Sequence, residues 1–127
     1  MAGNLSNYLE NKLLDHFLGT TAFTMPAAVY IGLYSVSPTD AGGGTEISGG
    51  SYARQSAAFT AAASGATSNS ANIDFTGMPA VTVVAIGVHD AASAGNLLLW
   101  GTLTTNKTTD AGDTLRIATG DLDITID

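Results

Sequence analysis

The sequence predicts a mainly β fold, an antiparallel β-sandwich of about seven strands preceded by one N-terminal amphipathic α-helix. Three observations lead there. Residues 5–18 repeat apolar side chains at helical spacing. After them, short β-branched and aromatic runs are broken by Gly-, Ser- and Asp-rich turns every ~8–12 residues, the rhythm of a sandwich. No second helical pattern follows residue 18, so the crossover helices of a parallel sheet are missing. The expected organisation is a single domain over residues 1–127, with the helix at 5–18 and the sandwich at 27–127.

In the helix, Leu5, Tyr8, Leu9, Leu13, Leu14, Phe17 and Leu18 share one face. Asn4 or Ser6 suits the N-cap, and Gly19 suits the left-handed position past the C-terminus. The apolar face is expected to lie on the sheet, with docking onto a neighbouring subunit as the other use. After Pro26, Val29-Tyr30-Ile31-Gly32-Leu33-Tyr34 reads as a buried strand ended by Pro38. Residues 40–51 hold five glycines and are read as a Gly-rich loop, either a flexible arm or a β-excursion that closes on a neighbour. Residues 52–60 resume as a strand. Residues 61–69 are small and polar, a turn with a weak strand on each side. Residues 72–76 alternate as a half-buried strand, 81–89 are the most β-branched and central, and 97–103 return after a turn at 91–95. Residues 106–113 read as a polar loop. Two strands close the chain, 114–118 and 122–126, the second with Leu122, Ile124 and Ile126 opposite Asp121, Asp123, Thr125 and Asp127.

Composition excludes several functions. Charged residues make up 12% of the chain, about half the usual share. A weakly charged surface rich in Gly, Ala, Ser and Thr suits dry packing against neighbours. The net charge is −7, and Lys12, Arg54, Lys107 and Arg116 are scattered, so neither nucleic acid nor an anionic membrane surface is an expected partner. With no cysteine, disulfides, thiolate metal sites and a cysteine nucleophile are ruled out. No basic-then-apolar leader is visible and no apolar run reaches the ~20 residues of a membrane span, so a cytoplasmic, soluble product is expected.

Candidate chemistry is sparse. His89-Asp90 sits beside a turn, but there is no Gly-x-Ser-x-Gly elbow, and His89 is expected at the surface of a hairpin rather than in a triad. Asp110 with Asp113, and Asp121 with Asp123, supply too few oxygens for a hard cation, which takes six or more, so no metal is expected. The glycines at 42–44 and 49–50 lack the Gly-Lys-Ser/Thr of a phosphate cradle. Arg54 needs a carboxylate, Glu46 or an aspartate, and a structural salt bridge is expected. Tyr30, Tyr34 and Trp100 could form a glycan platform, though core packing is the ordinary use of such residues.

Several stretches carry a family resemblance: Leu5-Ser6-Asn7-Tyr8-Leu9-Glu10-Asn11-Lys12-Leu13-Leu14-Asp15-His16, Val29 to Tyr34, Pro38-Thr39-Asp40-Ala41-Gly42-Gly43-Gly44-Thr45-Glu46, Gly49-Gly50-Ser51-Tyr52-Ala53-Arg54-Gln55, and Gly120-Asp121-Leu122-Asp123-Ile124-Thr125. In this order they resemble a family of small tailed-bacteriophage virion proteins, often labelled tail fibre or minor tail proteins. The resemblance implies a non-enzymatic structural protein of the virion, assembled in the host cytoplasm. It would be present in several copies, as a homo-oligomer bound to other capsid or tail subunits, and it brings no cofactor and no catalytic residues. Decoration of the capsid and attachment to the tail both remain open. Expected assembly contacts are Leu5, Tyr8 and Leu9 on the helix, with Asp40, Gly42, Gly43, Gly44, Glu46, Gly49, Gly50 and Arg54 in and beside the loop. Deleting residues 42–50 is then expected to leave a folded domain that no longer assembles. The alternative is a carbohydrate-binding host-contact module using Tyr30, Tyr34 or Trp100.

Overall fold

The computed structural model describes residues 4–126, which form ten strands and one helix. The chain opens with β1 (Asn4–Leu5) and α1 (Asn7–Phe17). Ser6 is the N-cap: its Oγ accepts from the Leu9 amide at 3.2 Å and donates to the Leu97 carbonyl at 2.6 Å. Leu5 therefore lies in β1 and not in the helix. Gly19 takes the left-handed conformation just past the helix end, as its position suggests.

The strands that follow are β2 (Val29–Val36), β3 (Thr45–Glu46), β4 (Gln55–Ala57), β5 (Ala66–Ser68), β6 (Ile73–Met78), β7 (Val81–His89), β8 (Leu97–Thr109), β9 (Asp113–Ile117) and β10 (Asp123–Thr125). All pairings are antiparallel. One sheet runs β1-β8-β7-β2-β3, with β4 also on β2, and β6-β9 and β5-β10 form two separate ribbons. The large sheet turns Ile31, Leu33, Val83, Ile86 and Val88 inward against Ile73, Phe75 and Met78 of β6, Leu122, and Ile124 of β10. The fold is thus two layers around one apolar core. Each large side chain buried there contributes roughly 1.5–3 kcal/mol by transfer from water.

Val83 and Ile86 both face the core although they are three positions apart, which a regular strand forbids. A bulge accounts for it: Val83 opposes Lys107 while Ala85 opposes Thr102. The same irregularity lengthens β8. Residues 106–109, expected in a polar loop, are strand, and only the stretch between Thr109 and Asp113 turns. Thr82 opposes Thr108 with their hydroxyls 3.1 Å apart, so an exposed Thr-rich strand face has the composition of a loop. The strand expected over 52–60 shrinks to Gln55–Ala57, the stretch that pairs with Val29–Ile31 of β2. At the other end, the strand expected at 122–126 is seen as β10, while Asp127 lies outside the described residues.

Candidate functional site

The most organised group of polar side chains gathers around β2, with Tyr52 stacked on Phe75 of the core. It is built from the Gly-rich segment and the strands beneath it. β2 has β7 along one edge and, along the other, β4 at Val29–Ile31 and β3 at Tyr34–Val36. Leu33 falls between those two short partners. Its carbonyl accepts from the Ile47 amide at 2.9 Å, and its amide donates to the Tyr52 hydroxyl at 2.8 Å. A side chain thus completes a ladder that no strand completes.

The Tyr52 hydroxyl in turn donates to Glu46 Oε2 at 2.8 Å, and Arg54 holds both Glu46 oxygens, Nε to Oε2 at 2.9 Å and Nη2 to Oε1 at 2.8 Å. This is the fork-to-fork pairing that makes arginine the strongest carboxylate partner. The remaining donors of Arg54 reach the hairpin between β7 and β8, where Nη1 donates to the carbonyls of Ala91 and Ala94. Beside them Tyr34 and His89 meet at 2.9 Å between hydroxyl and Nε2, with their rings stacked. The cluster rests on Gly32, where a Cβ would stand 3.0 Å from Glu46 Oε2 and 3.2 Å from His89 Nε2. A side chain there would crowd both groups.

Protonation follows from this packing. Burial, reinforced by the Arg54 charge, holds the His89 imidazole down to about 4 and so neutral near pH 7. Burial pushes the Glu46 carboxyl up, but hydrogen bonds from Arg54 and Tyr52 and the Arg54 charge outweigh it, leaving Glu46 below its ordinary range and ionised. Burial raises the Tyr52 phenol well above its usual range, so it stays a donor. No buried side-chain nitrogen or oxygen among the described residues lacks a partner. The cluster is a closed staple that ties β2, β3 and the β7–β8 hairpin together.

These positions correct several expectations. His89, expected as a surface or hairpin residue, is buried at the end of β7, because its ring stacks on Tyr34 over the space left by Gly32 and Gly87. Tyr34 is buried as well, so it cannot form an aromatic platform with Tyr30. Trp100 is half-buried, and its indole N–H donates to Asp40 Oδ1 at 2.9 Å. The Asp40 carbonyl accepts from the Asn7 amide, joining the loop to the start of α1.

The Gly-rich segment, read as a flexible arm or an excursion onto a neighbour, folds on its own chain. Ile47 belongs to the core, and at Gly50 a Cβ would stand 2.4 Å from the Gly77 carbonyl oxygen. Removing residues 42–50 would take Ile47 from the core and Glu46 from Arg54, so failure of that variant to assemble would report lost packing as well as lost contacts. Of the expected assembly contacts, Leu9 is buried within the chain and Glu46 and Arg54 are spent on each other, whereas Asp40, Gly43, Gly44, Gly49 and Gly50 are exposed and Leu5, Tyr8 and Gly42 are half-exposed.

A second feature went unread in the sequence. A groove of about 430 Å³ opens between β8 and β9, with a floor that includes Leu33, Val83, Ile86 and Leu122 and with Lys107 and Arg116 at its mouth. Arg116 is engaged by Asp74 at 2.7 Å. The groove comes from the divergence of β8 and β9 into different layers, which no local pattern reports. No histidine lines it, and its polar lining is Thr108, Thr109 and Thr114 with Asp113, Asp121, Lys107 and Arg116. Among the described residues no cluster of three or more potential metal ligands occurs, and no helix is long and apolar enough to cross a membrane.

The comparison with known families bears on the chain as a whole. A family model described as podophage GP4 fiber I protein gp80 matches residues 4–125. The chain belongs to this fibre protein family. The match takes in α1, the Gly-rich segment, every described strand and the residues of the staple. No curated protein matches the chain. Membership makes it a phage fibre-type structural protein associated with the virion and other virion proteins.

Proposed function

We propose that this chain is a non-enzymatic, multi-copy building block of a podophage particle, seated on the tail rather than on the capsid surface. The observation that carries the reading is the staple. Every ionisable group concentrated in the fold, Glu46, Arg54, Tyr52, Tyr34 and His89, is closed onto partners within the chain, so the best-ordered polar chemistry holds loops in place. Such rigidity suits a load-bearing part. The fibre-type family supports the tail over the capsid. The exposed glycines of the 40–51 loop and the helix supply contacts to neighbouring subunits.

The test is immunogold labelling of intact particles with an antibody to this chain, together with quantitative mass spectrometry of its copy number. Gold at the tail with several copies per particle is expected. Gold over the capsid would replace the tail with a decorating role. Cleavage of host polysaccharide by the purified chain would end the non-enzymatic reading.

A further inference from the structure

The helix covers less than its pattern promises. α1 buries Leu9 and half-buries Tyr8 and Leu13, all in its first two turns, where Ser6 and Asn7 are hydrogen-bonded to β8 and the Gly-rich loop. Farther along the same apolar face, Leu14, Phe17 and Leu18 are 57%, 72% and 77% exposed, and Met25 on the link to β2 is 83% exposed. Among the described residues these are four of the six large apolar side chains left in solvent, Val36 and Ile126 being the others. The link is not a loose tail. The Thr20 and Thr21 amides donate to the Asp15 carbonyl, and the Phe23 amide donates to His16 Nδ1 at 3.1 Å, folding it back on the end of the helix.

We infer that this helix end and link form a self-association surface whose occupant is a second copy of this chain. The inference deepens the building-block reading and rests on it for its purpose. Two observations choose the occupant. At roughly 200 Å² for a large apolar side chain, the exposed parts of the four residues amount to about 600 Å², most of the ~800 Å² that one side of a standard interface contributes. A patch of this size left in water marks an interaction site.

Charge gives the second observation. The chain carries −7 overall, so two copies repel across most of their surfaces, yet between Asp15 and Asp40 there is no Asp, Glu, Lys or Arg. The apolar patch is where identical acidic subunits meet without facing like charges. Phe17 packs against the partner's helix end, and the symmetric use of one patch closes the contact on itself.

The experiment is light scattering on the full chain at tens of micromolar, compared with Phe17→Glu and with Val36→Glu as an exposed control elsewhere. The wild type and Val36→Glu are expected at a multiple of 12.8 kDa, and Phe17→Glu as a monomer, its association weakened by about 30-fold or more. As a second reading, Leu18→Cys in this cysteine-free chain should oxidise to a covalent dimer faster than Thr105→Cys on exposed β8. A monomeric wild type, a Phe17→Glu variant of unchanged mass, or equal cross-linking at both positions overturns the inference. A monomer whose patch instead binds another virion protein overturns it too. A monomer that still enters particles would leave the building-block reading standing, whereas an oligomer absent from particles would sink that reading and keep this one.

Discussion

Tyr52 does at one atom what a strand does along its length. Its hydroxyl fills the hydrogen-bond position at Leu33 and passes a proton donor on to Glu46, so the Glu46–Arg54 pair is joined to the backbone ladder through one side chain. Arg54→Ala would strand a half-buried carboxylate and release two hairpin carbonyls, at a cost of about 2–4 kcal/mol, readable in urea unfolding. His89 gives the pH dependence its sign. The folded protein keeps the imidazole neutral down to about 4, while the unfolded chain takes up its proton near the ordinary 6.5. The stabilisation is therefore complete above pH 6.5 and is lost as pH falls from 6.5 towards 4, by roughly 2–3 kcal/mol. Below that range Glu46 continues the loss, because its carboxylate is stabilised in the fold. His89→Gln is expected to flatten the upper part of this profile in thermal melts at stepped pH. An unchanged profile would show that another group sets it.

Elements behave according to how they are anchored. The amphipathic pattern of α1 was legible at residue resolution, cap included, but pattern alone does not say what covers the apolar face. In the fold the N-terminal half is held by Ser6, Asn7 and Leu9 and the C-terminal half projects. Ser6→Ala removes the cap and the bond to the Leu97 carbonyl together. It should cost about 1–2 kcal/mol and lower the helical circular dichroism without unfolding the sheet. The Gly-rich segment was legible as distinctive, and of its two readings, a flexible arm or a β-excursion, the short strand β3 matches the second. Its glycines allow tight backbone approach, as at Gly50 against Gly77, while Ile47 between them anchors it in the core. β8 was half read, since exposed threonines on a strand and threonines in a loop share a composition.

For the whole molecule, the balance lies between an acidic surface and an uncharged apolar patch. If copies associate through the helix end, added salt screens the repulsion between net-negative subunits and leaves the apolar contact intact. Association should then strengthen between about 20 mM and 0.3 M salt, measured by sedimentation, where an interface built on ion pairs would weaken. The same scale explains the groove: β8 and β9 are joined by a short turn yet belong to opposite layers, so the space between them is a product of topology.

The sequence by itself determined the class of fold, the capped helix, most strand cores and the strands' order along the chain. These depend on local periodicity and turn chemistry, which act over a few residues. It also carried the family, through motifs spread along the chain in a constant order. Only the tertiary structure decided which polar residues meet. Glu46 and Arg54 are near in sequence, but His89 reaches Tyr34 across 55 positions and Arg54 reaches Ala94 across 40. The unbroken β2–β7 register brings Tyr34 and His89 onto one face, and a shift of one residue would move a side chain to the opposite face of the sheet.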